Sequence, residues 1–183
     1  MRKHIAFLLI LLLMLTACDH DFFDDKTNNN STSKSQKTGI SINDIFDSIL
    51  RENNAVDPTD ITELDLYDKG IERLDGIERF PNLIELNLTL NKISDITELA
   101  SLKNLEGLYL GYNKIKDIDV LTQLTELESL YLHNNNIESL IDFSILDKLE
   151  YLSLSDCRIT DIKALENAAR LESLSSHITI RIT

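Results

Sequence analysis

The sequence is poor in the residues on which catalysis and cofactor binding usually depend. It holds four histidines (His4, His20, His133 and His177) and two cysteines (Cys18 and Cys157), and no serine or cysteine carries a recognisable nucleophile signature. There is no glycine-rich phosphate loop, no H-E-x-x-H and no paired-cysteine zinc pattern. An enzyme is therefore not expected, and no catalytic residue, cofactor or metal is assigned. Positive charge is also scarce: 18 Lys and Arg stand against 31 Asp and Glu, a formal net charge of −13. That balance argues against nucleic acid as a partner and against electrostatic attraction to anionic lipid. The apolar run from Ile5 to Leu15 is too short to span a bilayer comfortably.

What the chain has in abundance is leucine at a fixed interval. Five segments of 22 residues begin at Ile61, Leu83, Leu105, Leu127 and Leu149, and each follows L-x-x-L-x-L-x-x-N-x-I-x-x-I/L-x-x-L-x-x-L-x-x. Position eleven is always Ile (Ile71, Ile93, Ile115, Ile137, Ile159), and position fourteen is Leu or Ile (Leu74, Ile96, Ile118, Leu140, Ile162). A period of this kind is the mark of a solenoid. The L-x-x-L-x-L core ends in the alternation expected of a short strand with one buried face. One repeat cannot bury its own leucines, but five stacked repeats place each leucine against its counterpart and line the strands up as a parallel sheet. In the second half of each repeat, apolar residues at every third position (Ile93, Ile96, Leu99, Leu102) suit tight turns and short 3₁₀ pieces on the convex side.

The run L-x-x-L-x-L-x-x-N-x-I-x-D-I, whole at Leu83 to Ile96 and at Leu105 to Ile118, resembles the bacterial leucine-rich repeat family, most closely its internalin-like subgroup. The likeness covers about 110 residues and implies a curved α/β-type solenoid with short parallel strands on the concave face, 3₁₀ or irregular turns on the convex face and an N-terminal helical cap. It implies little about function, since one scaffold serves many partners. It also implies that Asn91, Asn113 and Asn135 at position nine form an inward amide ladder bonded to the backbone of adjacent coils. Lys69 and Cys157 stand at that position in the first and fifth repeats and depart from the pattern. Asp95, Asp117 and Asp161 at position thirteen are placed to accept backbone N–H groups at the start of the next turn. No second carboxylate accompanies each of them, so a metal ladder is not expected.

At the amino terminus, Arg2, Lys3 and His4 precede the apolar run, which suits a secretory signal peptide over residues 1–17. Leu15-Thr16-Ala17-Cys18 resembles the lipobox of bacterial lipoproteins, which implies cleavage before Cys18 and a lipid on its sulfur, holding the protein extracytoplasmically on a bacterial membrane. Residues 18–39 are rich in Asp, Asn, Ser, Thr and Lys and read as a disordered tether with a reach of roughly 25 Å. Residues 40–60 read as the cap and the turn into the first strand. Ser41 to Asn53 predicts an amphipathic helix with Ile42, Ile45, Phe46, Ile49 and Leu50 on one stripe, and Ser41 and Asp44 have capping-box spacing. The repeats occupy 61–170. Residues 171–183 hold an incomplete sixth repeat or a terminal strand, since His177 to Thr183 alternates polar and apolar.

Function is then sought on the concave face, at outward strand positions three, five, seven and eight. All five tyrosines fall there: Tyr67, Tyr109, Tyr112, Tyr131 and Tyr151. Together with His133 and the acids Glu63, Asp65 and Glu85 they are the candidate partner-binding residues, because tyrosine couples a large apolar contact area to a hydroxyl at low entropic cost. The expected partner is a protein, with a glycan as the second choice. A different class of role stays open: a surface spacer, or the remnant of a longer adhesin, with no ligand of its own.

Overall fold

The computed structural model describes residues 39–161 and 163–165, and the backbone of Thr179–Ile180. The signal peptide, the Cys18 anchor, most of the tether and the sixth repeat expected from Leu171 lie outside the described residues.

Each repeat places a three- or four-residue strand in the same rung of one parallel sheet. The strands are β2 (Glu63–Asp65), β4 (Glu85–Asn87), β5 (Gly107–Tyr109), β6 (Ser129–Tyr131) and β7 (Tyr151–Leu154), and β8 (Thr179–Ile180) extends the order to β2-β4-β5-β6-β7-β8. The 22-residue period sets the register directly: Glu85 lies opposite Gly107, Leu108 opposite Leu130, and Tyr109 opposite Tyr131. The last strand keeps the parallel sense but breaks the period, with Ser153 opposite Thr179 and Leu154 opposite Ile180.

Inside the sheet the template leucines form one continuous core. Leu64, Leu86, Leu108, Leu130 and Leu152 stack as one column, and Leu66, Leu88, Leu110, Leu132 and Leu154 as a second. Short 3₁₀ segments return the chain on the far side, at Ile77–Arg79, Thr97–Ser101, Asp119–Gln123, Phe143–Ile145 and Lys163–Leu165. They begin where a carboxylate accepts a backbone N–H: Asp95 from Thr97 at 3.0 Å, Asp117 from Asp119 at 2.9 Å and Asp161 from Lys163 at 2.9 Å.

The amide ladder is as the resemblance implies. Asn113 Nδ2 donates to the carbonyls of Leu88 (2.9 Å) and Leu110 (3.1 Å), while its Oδ1 accepts the N–H of Ile93 at 2.9 Å. Asn91 and Asn135 repeat the arrangement one coil to either side. Each amide thus satisfies backbone groups that the narrow coil would otherwise bury unpaired. At the fifth rung the thiol of Cys157 donates to the carbonyl of Leu132 at 3.3 Å.

Helix α1 (Ile42–Glu52) closes the first end of the core, burying Ile42, Phe46 and Ile49. Phe46 packs on Phe80 with ring centroids 5.5 Å apart, and the Arg79 guanidinium lies 3.2 Å over the Phe46 ring. Asp44, although shorter than the usual Glu, completes the cap because both the N–H (2.7 Å) and the hydroxyl (2.8 Å) of Ser41 converge on its Oδ2. A feature with no sequence signal precedes it: β1 (Ile40–Ser41) pairs in parallel with β3 (Ile71–Arg73) to make a separate two-stranded sheet.

Position eight departs from the reading of it as a strand position. In all five coils it lies just beyond the strand in left-handed backbone: Asp68 (φ 53°), Leu90 (59°), Tyr112 (55°), Asn134 (55°) and Asp156 (56°). The chain turns there from the sheet into the amide ladder. Asn and Asp tolerate this region through local hydrogen bonds, whereas a residue such as Leu pays about 1–2 kcal/mol.

Candidate functional site

The outward face of the sheet is built from columns that run across the strands. Position three gives Glu63, Glu85, Gly107, Ser129 and Tyr151; position five gives Asp65, Asn87, Tyr109, Tyr131 and Ser153. Neighbours in a column are one strand spacing apart, about 4.8 Å. Aromatic side chains in the same column are therefore held in contact by the backbone alone.

Tyr109 and Tyr131 stack, with ring centroids 5.0 Å apart and planes 16° from parallel. Beside them Gly107 leaves a gap in the position-three column. The carboxylate of Glu85 fills it, lying where a Cβ on residue 107 would stand. From there Glu85 is hydrogen-bonded to the phenol of Tyr109. Burial first, and then the negative charge of Glu85, hold the Tyr109 phenol far above the ordinary tyrosine range. Burial likewise raises Tyr131, with Tyr151 and Glu85 adding to it. Both phenols therefore remain neutral hydrogen-bond donors near neutral pH. Tyr109 is only 8% exposed, whereas Tyr131 is half-buried and Tyr151 is 37% exposed. The outer surface of the cluster is Tyr131 and Tyr151, and Tyr109 supports it from below.

A second gap is made by Gly111 at position seven. The imidazole of His133, in the next coil, occupies the space a Cβ on residue 111 would take. It meets Tyr112 edge-on, with centroids 5.3 Å apart and planes at 88°. Burial lowers the His133 pKa, and the nearby Asp156 carboxylate opposes this in part. Its Nδ1 is buried and has no hydrogen-bond partner. Next to Tyr112 on the preceding rung stands Leu90, 38% exposed.

The structure thus brings together Glu85, Tyr109, Tyr131, Tyr151, Tyr112 and His133 across four adjacent strands. Tyr67 is half-buried on the first coil, with Thr89 between it and the gap at Gly111. Glu63 and Asp65 are exposed on the same outer strand, and Asp65 is partly committed to the scaffold: its Oδ1 accepts the N–H of Tyr67 at 3.1 Å and an amide N–H of Asn87 at 2.9 Å. Sequence reasoning places Leu90, Gly107, Gly111 and Asp156 on this face without giving them a role. The available signal was a glycine standing one repeat before or after a bulky residue at the same template position. Cys18 lies outside the described residues. Among the described residues, no group of three or more His, Cys, Asp or Glu side chains is gathered as a metal would need.

Residues 103–145 match the family model described as leucine-rich repeats (2 copies), and residues 148–168 match the one described as leucine-rich repeat. The fold is similar to that of internalin C2 from Listeria monocytogenes, with 30% identity over 67% of this chain and 52% of that one and a TM-score of 0.60. A second Listeria monocytogenes internalin, InlF, is 30% identical over 62% of this chain and 40% of its own, with a TM-score of 0.52. A leucine-rich repeat protein of Leptospira interrogans is 25% identical over 68% of this chain and 31% of its own, with a TM-score of 0.57. The chain spans about half the length of internalin C2 and less of the other two. No curated protein matches it.

Proposed function

Given that this chain is a bacterial leucine-rich repeat protein of the internalin-like kind, we propose that it is an extracytoplasmic binding protein. In this reading Cys18 carries a membrane-anchoring lipid, and the tyrosine-bearing face of the sheet receives a protein partner. The observation that carries the binding role is the stacked Tyr109–Tyr131 pair with Tyr151 exposed beside it. A spacer without a ligand has no use for aromatic rings gathered on the outward face of its sheet. Large aromatic side chains that join an apolar ring to a hydroxyl are among the residues that most often anchor protein interfaces.

Two measurements test this. Affinity capture from envelope extracts, with mass spectrometry, identifies the partner, and the paired substitution Tyr109→Ala with Tyr131→Ala is expected to weaken its binding by at least about 2 kcal/mol. Undiminished affinity would move the site off this face, and capture of a glycan would change the partner class. For the anchor, Cys18→Ser is expected to abolish labelling by a fatty-acid probe. Persistent labelling refutes the lipid assignment while leaving the binding face untouched.

A further inference from the structure

Position eight is a left-handed turn in every coil, and three of its five residues, Asp68, Asn134 and Asp156, are of the type that tolerates that backbone. Leu90 and Tyr112 are not, and they stand on adjacent rungs, the N–H of Leu90 bonded to the carbonyl of Gly111 and that of Tyr112 to the carbonyl of His133. Strain of this kind persists in a structure when burial or function outweighs it. Burial does not account for Leu90, whose side chain is 38% exposed. The pair forms an apolar spot with polar Asp68 before it and Asn134 after it, beside the aromatic cluster and rimmed by polar groups. The T-shaped contact with His133, seated in the gap at Gly111, fixes the Tyr112 ring.

The charge at the outward template positions is of one sign. Across the five coils, positions three, five, seven and eight carry Glu63, Asp65, Asp68, Glu85 and Asp156 and not one Lys or Arg. Glu85, its carboxylate hydrogen-bonded to Tyr109 and seated in the gap at Gly107 with Oε2 buried, sets a negative charge beside the Tyr131 ring, and a negative charge next to an aromatic face attracts a guanidinium or ammonium group. Resting on the reading of this face as the binding surface, we infer that Leu90 and Tyr112 are a second contact point, and that the partner is a protein segment presenting both a basic and an aliphatic side chain. The basic group lies over Glu85 and Tyr131, and the aliphatic one over Leu90 and Tyr112.

The test uses the full chain and a displayed library of random twelve-residue peptides as the probe. Selected peptides are expected to be enriched in Arg or Lys paired with Leu, Ile or Val, and to lose at least tenfold in affinity when Leu90→Asn and Tyr112→Asn are introduced together. The same double variant is expected to unfold at a higher urea concentration than the wild type, because Asn relieves the left-handed strain. Selection of acidic peptides, retention of none, affinity unchanged in the double variant, or a lower urea midpoint would each overturn the inference. Peptides that lose affinity in Tyr131→Ala but not in the Asn variant would sink this second contact and keep the binding face. Peptides indifferent to both sets of substitutions would sink both.

Discussion

The first two coils and the third and fourth share a backbone and differ in what they do with their outward side chains. At the acidic end, polar groups are spent on the scaffold itself: Asp65 holds the N–H of Tyr67 and the Asn87 amide, and Asn87 in turn accepts the N–H of Thr89 at 3.0 Å. In the middle, glycines open gaps that Glu85 and His133 fill, and tyrosines stack above the strands. The lesson is that the repeat specifies the rungs and the columns, while the outward residue types decide whether a stretch braces itself or offers a surface.

If the interior is common to both regions, cutting it must cost the same in each. Leu88→Ala and Leu110→Ala, equivalent and fully buried, are each expected to cost about 2–5 kcal/mol in urea melts through lost transfer energy and a cavity. A large difference between them would mean that the two ends do not share one core.

The middle face can be probed more finely through its glycines. Gly111→Ala drives a Cβ into the His133 ring, which moves only as a rigid body, and a cost of about 1–3 kcal/mol is expected. Gly107→Ala meets the end of the flexible Glu85 side chain, which swings aside and forfeits its bond to Tyr109, for about 0.5–1.5 kcal/mol. The reverse order of cost would show that Glu85, rather than His133, is the tightly held group.

The smallest effect is expected in pH dependence. The unfolded chain takes up a proton on His133 near the ordinary histidine value of 6.5, while the half-buried ring in the folded chain resists protonation until lower pH. Stability contributed by this residue is therefore present above pH 6.5 and lost as pH falls from there through the lowered folded-state value. Urea midpoints measured between about pH 7.5 and 5 are expected to fall less steeply in His133→Gln. An identical slope in wild type and variant would place the imidazole in contact with water.

Much of this architecture was legible because the period is rigid. Equal spacing of Leu83, Leu105 and Leu127 dictates which strand residues face each other, so Tyr109 beside Tyr131 followed from counting. The cap helix was legible from its apolar stripe, and the ladder from Asn91, Asn113 and Asn135. The pairing of Ile40–Ser41 with Ile71–Arg73 was not, since two residues carry no periodicity. Nor was the left-handed turn at position eight, because Leu90 and Tyr112 hide a preference that Asp68, Asn134 and Asp156 express. The folding of Glu85 onto Tyr109 escaped a column-by-column reading because it depends on a missing Cβ one strand away.

The substitution at the fifth rung has a consequence for how the stack comes apart. A carboxamide bridges two coils with bonds in both directions, but the thiol of Cys157 donates a single weak one and accepts poorly. Since each coil is held by its neighbours, the molecule behaves like a zip in which the tooth at the fifth coil is short. Separating the fourth and fifth coils therefore costs less than separating those bridged by asparagine, so among the described residues amide protons should exchange faster from Leu149 to Asp161 than around Leu88 and Leu110.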